Sequence, residues 1–157
     1  LQKAARKQIP EDEILDRMKD IAGIRIICQF VDDIYAVVKL IKQRTDMKVL
    51  GEKDYVQNRK ESGDRSYHIV IEYPIHTISG PRHILVEIQI RTLSMNFWAT
   101  IEHSLNYKYR GEFPDHIRQR LMRAAEAAFM LDEEMSKIKG EIQEAQREFA
   151  KKQDRNR

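Results

Sequence analysis

The stretch His83-Ile-Leu-Val-Glu-Ile-Gln-Ile-Arg91 alternates between apolar and mostly polar residues. One set of alternate positions is aliphatic: Ile84, Val86, Ile88 and Ile90. The other set is His83, Leu85, Glu87, Gln89 and Arg91. A period of two predicts a β-strand whose aliphatic face is buried. The polar face is then either exposed to solvent or part of a site.

The segment before it repeats this pattern. From Ser66 to Tyr73 one face carries Tyr67, Ile69, Ile71 and Tyr73, and the other carries Ser66, His68, Val70 and Glu72. A segment that contains Pro74, Gly80 and Pro81 separates the two runs. We therefore expect an antiparallel hairpin with a long connection.

Further upstream, the pattern predicts a strand, a helix and a second strand. Residues Ile21 to Phe30 are mostly β-branched and apolar, which is typical of a strand buried on both faces, and Arg25 is the exception within it. Helical spacing then follows Asp32 and Asp33 up to about Thr45, and a strand is expected from Met47 to Tyr55. These elements form a plausible crossover unit. Pro10 marks the start of a short helix, Glu11 to Lys19.

Downstream, two helices are expected. The first runs from Leu93 to about Tyr107 and has four apolar residues available for burial: Met95, Trp98, Ile101 and Leu105. The second follows Gly111 and Pro114 and carries an apolar seam with alternating steps of four and three: Ile117, Leu121, Ala124, Ala128, Leu131, Met135, Ile138, Ile142, Ala145 and Phe149. Such a helix would be about 50 Å long, longer than a domain of this size is wide. Part of the seam therefore needs a partner, either another helix of the chain or another subunit, and we favour a homo-oligomer.

Composition is that of a single globular domain. The chain has 157 residues, of which 41% are hydrophobic and 34% charged, which argues against disorder. No apolar run approaches the ~20 residues that span a bilayer, and no signal-peptide pattern opens the chain, so we expect a soluble protein without membrane contact. The single cysteine, Cys28, lies in an apolar run and indicates a buried thiol in a reducing cytoplasm.

The net charge of +3 comes from the C-terminal tail. Residues 137–157 hold seven basic and four acidic side chains, whereas the rest of the chain is balanced. Such a tail can contact RNA or lipid, or it can be the solvated end of a helix. The chain begins with Leu1, which suggests a fragment of a longer protein.

Six polar residues stand in or beside the apolar strands: Asp20, Arg25, His68, Glu87, Gln89 and Arg91. Buried charges without partners are costly, so we expect these groups to converge. Two carboxylates suit Mg²⁺, and neighbouring guanidinium groups suit phosphates. The alternative is an internal network of arginine and carboxylate that binds no ligand.

Several motifs together resemble one family. They are Asp20-Ile-Ala-Gly-Ile-Arg25, Lys53-Asp-Tyr55, the loop from Lys60 to Ser66-Tyr67-His68, Glu87-Ile-Gln-Ile-Arg-Thr92 with Met95 and Ala99, and Asn96 to Tyr109. In this order and spacing they resemble the synthetase domain of the RelA/SpoT homologue family, and most closely its small alarmone synthetases of the RelQ type. The resemblance implies an α/β fold of the nucleotidyltransferase type, with a mixed sheet flanked by helices. It places the catalytic domain at residues 1–111, with 112–157 as a packing and oligomerisation helix of the same domain.

The resemblance also implies an activity and its residues. The enzyme would be a GTP pyrophosphokinase that transfers the β,γ-pyrophosphate of ATP to the 3′-hydroxyl of GTP or GDP. Asp20 and Glu87 would hold Mg²⁺, and Glu87 would activate the hydroxyl. Arg25 would stack on adenine, and Lys3, Arg6 and Lys7 could contact ATP phosphates. The guanosine nucleotide would meet Lys53, Lys60, Asp64, His68, Gln89, Arg91 and Ala99. A tetramer is implied, and allosteric pppGpp and single-stranded RNA are further candidate partners.

One position departs from the family pattern. Asp64 stands where the family has a tyrosine that stacks on guanine. Base–aromatic stacking is typically worth ~1–3 kcal/mol, so its loss should weaken guanosine-nucleotide binding by about 5- to 150-fold. We therefore expect an impaired synthetase. Two other functions stay open: a nucleotide- or RNA-binding regulator that has lost catalysis, and a relative of the toxins that pyrophosphorylate tRNA.

Overall fold

The computed structural model describes residues 22–155, which form four strands and three helices. The strands are β1 (Ala22–Cys28), β2 (Lys48–Asp54), β3 (Tyr67–Thr77) and β4 (Gly80–Thr92), and the helices are α1 (Val31–Gln43), α2 (Leu93–Lys108) and α3 (Asp115–Arg155). The predicted helix Glu11 to Lys19 lies outside the described residues, as do Lys3, Arg6, Lys7 and Asp20.

The strands form one mixed sheet in the order β1-β4-β3-β2. β4 pairs in parallel with β1 and antiparallel with β3, and β2 is antiparallel to β3. β1 and β2 therefore run in the same direction at opposite edges, and α1 connects them across the two strands between. The predicted crossover and the mixed α/β sheet are both confirmed.

The aliphatic face of the sheet packs against α1. Ile69 and Ile90 from the sheet and Ile34 from α1 are fully buried in this core. Residues on the opposite face of the two central strands, His68, Val70, Glu87 and Gln89 among them, are only partly buried. The alternation read from the sequence is therefore confirmed, and it leaves the mostly polar face for a site.

The hairpin of β3 and β4 is confirmed, but its predicted long connection is wrong. The strands pair as far as Thr77 and Gly80, so that Ile78 and Ser79 alone connect them. Pro81 can lie within β4 because β1 pairs with β4 only from Val86 onward, which leaves this end of β4 with one neighbouring strand. Gly80, the first residue after the turn, has a φ of +107°, a conformation that glycine adopts without strain.

The burial of β1 on both faces is also wrong. Ile24 is 49% exposed and Ile27 is 38% exposed. β1 is an edge strand of the sheet that the described residues form, and it pairs there with β4 alone. Cys28 at its end is buried, as expected, and burial together with the nearby Asp33 raises the pKa of its thiol.

Local hydrogen bonds fix the helix starts. The carboxylate of Asp33 accepts the backbone N–H of Phe30 at 3.1 Å, which caps α1. The hydroxyl of Thr92 accepts the N–H of Met95 at 3.2 Å and donates to the buried Asp132 of α3 at 2.6 Å. The start of α2 is thereby tied to both β4 and α3.

Helix α2 is buried only along its first part. Met95 and Trp98 are buried, whereas Ile101 and Leu105 are 45% and 46% exposed. The burial predicted for the last two is therefore wrong, because the second half of the helix extends past the core that Met95 and Trp98 join.

Helix α3 has 41 residues, which corresponds to about 62 Å at ~1.5 Å per residue. From Leu131 onward its seam is exposed in the described chain: Leu131 is 55%, Met135 44%, Ile142 55% and Phe149 64% exposed. Among residues 22–155, no helix combines the length and the apolar character that crossing a membrane requires.

Candidate active site on the polar face of the sheet

The strand register places four predicted site residues in one row. Lys53 of β2 lies opposite His68 of β3, His68 lies opposite Gln89 of β4, and Gln89 is paired with Arg25 of β1. Residues paired in this way project from the same face of a sheet. The row therefore crosses all four strands on the face that α1 leaves uncovered.

A cavity of about 320 Å³ opens at the β1 end of this row and is lined by Gly23, Ile24, Arg25, Glu87 and Gln89. Gly23 is paired with Glu87, and it adds no side chain beside the carboxylate. The arginine at the rim is held by Asn96 of α2, whose Oδ1 accepts from Arg25 Nη1 at 3.4 Å. The carboxylate and the guanidinium group that the sequence singled out thus share one cavity.

Glu87 is held by two neighbours on the same face. Its Oε1 lies 3.0 Å from His68 Nδ1 and accepts a hydrogen bond from Gln89 Nε2 at 3.3 Å. Both contacts use Oε1, so Oε2 takes no part in this pair of hydrogen bonds. The side chain of Glu87 is 33% exposed, so the carboxylate is oriented yet reachable from the cavity.

His68 is a neutral link between Glu87 and a buried serine. Burial lowers the pKa of His68, and the positive charges of Lys60 and Arg91 lower it further, against the opposing effect of Glu87. In the neutral ring Nδ1–H donates to Glu87, and Nε2, 2.7 Å from Ser66 Oγ, accepts from that hydroxyl. Ser66 is fully buried, so this chain of hydrogen bonds fixes the ring plane.

A second network starts at Gln89. Gln89 Oε1 accepts from Arg91 Nη1 at 2.9 Å, and Arg91 Nη2 lies 3.3 Å from Asp64 Oδ2. The same oxygen of Asp64 lies 3.6 Å from Lys60 Nζ. An internal network of arginine and carboxylate is therefore present, and it adjoins the cavity instead of replacing it.

The loop that carries Lys60 and Asp64 is a tight turn packed against helices. Lys60 O accepts the N–H of Gly63 at 2.9 Å, and Lys60 N–H donates to Asp64 O at 3.1 Å. Gly63 is buried with a φ of +95°, and a Cβ there would lie 2.9 Å from Ala125 Cβ on α3. Only glycine fits this conformation and this approach without strain.

Arg65 fastens the same loop to α3. Its guanidinium group lies 3.8 Å from the centre of the Phe129 ring and 3.8 Å from Glu126, and Nη1 donates to Val56 O at 2.5 Å. The side chain is only 10% exposed. The start of β3, and with it His68, is therefore set by contacts with α3.

The aromatic ring of Tyr55 was not singled out from the sequence as a site residue, and neither was Ser66. Tyr55 meets the His68 ring edge-on at 5.2 Å, and Lys60 Nζ lies 4.8 Å from the centre of the Tyr55 ring. Ser66 lies two residues before His68 in an extended segment, and this spacing could have revealed it. The position of the Tyr55 ring beside His68 depends on how the loop after β2 folds back, which the spacing of residues in the sequence does not show.

The other predicted residues differ in their exposure: Lys53 belongs to the row, and Ala99 and Arg91 lie near it. Lys53 is exposed on β2. Ala99 is partly buried on α2, three residues beyond Asn96 and so on a similar side of that helix. Arg91 is 5% exposed, and its guanidinium group contacts Gln89 and Asp64.

The metal prediction rests on one described residue. Glu87 supplies a carboxylate at the cavity, which is the donor type that Mg²⁺ prefers, whereas Asp20 lies outside the described residues. Within residues 22–155 no three His, Cys, Asp or Glu side chains cluster as a metal site would require. The donor chemistry fits an ion that takes most of its ligands from substrate phosphates and water.

The profile of the family described as "Region found in RelA / SpoT proteins" matches residues 1–112. Together with the fold and the polar row, this match shows that the chain belongs to the RelA/SpoT family. The resemblance read from the sequence is confirmed.

Within the family the chain is similar to small alarmone synthetases. It is 60% identical over 152 residues to the GTP pyrophosphokinase YjbM of Bacillus subtilis (strain 168), which covers 97% of this chain and 72% of the relative. It is 43% identical over 135 residues to the GTP pyrophosphokinase YwaC of the same organism, covering 86% of this chain and 64% of that relative.

The fold has close solved counterparts. The small alarmone synthetase 1 of Bacillus subtilis bound to its product pppGpp superposes with a TM-score of 0.78 at 59% identity, covering 90% of this chain and 72% of that chain. The same enzyme bound to AMPCPP gives a TM-score of 0.70 at 57% identity, over 91% of this chain and 72% of that one. The predicted enzyme class agrees with these relatives, and neither a regulator without catalysis nor a tRNA-modifying toxin is favoured by them.

Proposed function

We propose that this chain transfers the β,γ-pyrophosphate of ATP to the 3′-hydroxyl of GTP or GDP, forming pppGpp or ppGpp and releasing AMP. The observation that carries the proposal is the row Arg25–Gln89–His68–Lys53, with Glu87 beside it at one cavity. Support comes from relatives named GTP pyrophosphokinases and from a relative's structure with pppGpp bound.

In this proposal Glu87 takes the proton of the 3′-hydroxyl. The hydrogen bonds from His68 and Gln89 hold its carboxylate in one orientation at the cavity, so that it is positioned before substrate arrives. Asp20 and Glu87 would hold Mg²⁺, which neutralises polyphosphate charge when it is bound.

The two nucleotides would occupy opposite ends of the row. Arg25 offers a planar cation at the cavity rim for the adenine of ATP, and Lys3 and Lys7 are proposed for the ATP phosphates. At the other end Lys53, Lys60 and His68 would bind phosphates of the guanosine nucleotide, with Ala99 near the guanine. Gln89 and Arg91 would line and stiffen the cleft between the two nucleotides.

The test is incubation with labelled ATP, GTP and Mg²⁺, followed by separation of AMP and pppGpp. Glu87→Gln keeps the side chain's shape and should abolish turnover while the thermal midpoint of unfolding changes little. Glu72→Gln is a matched control. Glu72 projects from the same face of β3 as His68 and its carboxylate lies 3.1 Å from His83 of β4, but it is further from the row. Loss of turnover in both variants, or in neither, would remove Glu87 from its proposed role.

We also propose that Asp64 impairs this activity, because it lacks a ring to stack on guanine. Asp64→Tyr should then raise kcat/KM for GTP by about 5- to 150-fold from the base–aromatic stack alone, before the removal of the negative charge is counted. No gain would contradict this part of the proposal.

An oligomer, with a tetramer as the expected form, is proposed from the exposed seam of α3. Ile142 is 55% exposed on this seam, and its neighbour Gln143 lies on another side of the helix. Ile142→Glu should lower the mass measured by light scattering after gel filtration, whereas Gln143→Glu adds the same charge and should not. Binding of pppGpp at a second site and binding of single-stranded RNA stay predictions.

A further inference from the structure

Asp64 lies between two cations, of which Lys60 is proposed to meet nucleotide phosphate. Its Oδ2 is 3.3 Å from Arg91 Nη2 and 3.6 Å from Lys60 Nζ. The side chain of Asp64 is 15% exposed and that of Arg91 only 7% exposed, so their pairing is largely shielded from water. Lys60 is 36% exposed and forms the accessible end of the cluster.

The burial of Arg91 makes this pairing consequential. A guanidinium group that is almost fully buried needs a counter-charge, since an unpaired buried charge is costly. Its Nε is buried and finds no hydrogen-bond partner among the described residues, which leaves Asp64 and Gln89 to compensate the group. In this chain the compensating anion is built into the loop.

We propose that Asp64, which neutralises the buried Arg91, is also an internal anion that competes with nucleotide phosphates for the accessible Lys60, so that the site discriminates against guanosine nucleotides of higher charge. This inference rests on the proposed function for the identity of the nucleotide. An incoming polyphosphate must displace the carboxylate from Lys60 or bind beside it, and like charges brought into one site repel. The penalty grows with each negative charge that the nucleotide carries.

Competition is distinct from the loss of stacking. Stacking involves the base and contributes equally to GMP, GDP and GTP, whereas repulsion depends on the phosphates. Asp64→Asn separates the two effects, because asparagine has the shape of aspartate and no charge, and it also has no ring to stack.

The experiment is titration calorimetry with GMP, GDP and GTP in magnesium-free buffer, so that each nucleotide carries its own full charge. Asp64→Asn should tighten GTP binding by about 10-fold, GDP binding by less and GMP binding least. The readout is the ratio of the GTP and GMP dissociation constants on one preparation. Because both constants scale with the same folded fraction, partial unfolding of the variant cannot mimic a changed ratio.

Asp46→Asn is the matched control. Asp46 also pairs with an arginine, Arg44, at 2.8 Å, but it lies at the opposite end of β2 from Lys53. Asp46→Asn removes the same formal charge as Asp64→Asn and should leave the ratio of the GTP and GMP dissociation constants unchanged. A ratio unaltered in Asp64→Asn, an equal gain for all three nucleotides, or the same change in Asp46→Asn would overturn the inference.

The turnover assay separates this inference from the proposed function. If the GTP to GMP ratio shifts as expected while neither the wild-type chain nor Asp64→Tyr produces AMP and pppGpp, the proposed function fails and the competition stands. If turnover is present and the ratio does not move, the competition fails and the proposed function stands.

Discussion

Gly63→Ala tests whether the loop with Lys60 and Asp64 is held in place by its close approach to α3. Gly63 has a φ of +95°, and a Cβ there would lie 2.9 Å from Ala125 Cβ and 3.2 Å from Met122 Sδ. A non-glycine residue in such a conformation costs about 1–3 kcal/mol, and overpacking costs a further ~1–3 kcal/mol. The sum, about 2–6 kcal/mol, is a large part of the ~5–15 kcal/mol that stabilises a domain.

We expect Gly63→Ala to lower the free energy of unfolding measured in urea by about 2 kcal/mol or more. If the loop detaches before the domain unfolds, the measured loss will be smaller. In that case KM for GTP should rise, because Lys60 and Asp64 are displaced with the turn. Gly140→Ala is the matched control: it adds the same methyl group to α3 with nothing within 4 Å, and it should stabilise the protein by about 0.5–1 kcal/mol.

Ala125→Gly supplies the second half of a double-mutant cycle. It removes the atom closest to the added methyl group, so it should recover part of the loss in the Gly63→Ala background, although it costs about 1 kcal/mol alone because glycine disfavours helix. The reasoning is refuted if Gly63→Ala leaves both stability and KM unchanged, or if the two substitutions simply add.

Three further predictions concern the row and its support. Burial lowers the pKa of His68 below its usual 6.5, so the unfolded chain binds a proton that the folded chain excludes. The free energy of unfolding should therefore fall as the pH drops from 6.5 through the pKa of the folded state. His68→Gln should flatten that part of a plot of urea midpoint against pH. Arg65→Met keeps the aliphatic stem but loses the hydrogen bond to Val56 O and the cation–π contact with Phe129. It should lower the free energy of unfolding by about 1–3 kcal/mol, and it should raise KM for GTP more than it lowers kcat. Arg25→Ala should raise KM for ATP, with little change in KM for GTP, in steady-state kinetics that vary one nucleotide at a time.

The strands and their faces could be predicted because the evidence is local. A residue two positions away in an extended segment lies on the same face, so the alternation from Ile84 to Ile90 predicted a shared buried face from the sequence alone. The row across the sheet could not be predicted in this way. It depends on strand order, which places β4 between β3 and β1 and so brings Gln89 between His68 and Arg25.

The errors follow from the same limit. The apolar sequence of β1 would suit a central strand as well as an edge strand, and only the strand order shows that β1 is at the edge. Pro74 and Pro81 indicated a loop because proline removes a hydrogen-bond donor, yet part of the hairpin lies beyond the other strands and does not need those donors. The pairing of Asp64 with Arg91, 27 residues away, is a tertiary contact.

Helix α3 carries both the surface that supports the loop with Lys60 and Asp64 and the exposed apolar seam. The loop with Lys60 and Asp64 packs against three residues in the N-terminal half of α3, Ala125, Glu126 and Phe129. From Leu131 onward every residue of the seam is exposed. A rigid helix transmits a shift along its length, so a partner that repositions the seam would also move the wall behind Gly63, where little space is available. If the chain assembles through this seam, we therefore expect assembly to affect the loop with Lys60 and Asp64, for which guanosine-nucleotide binding is proposed, without contact between the seam and the nucleotide.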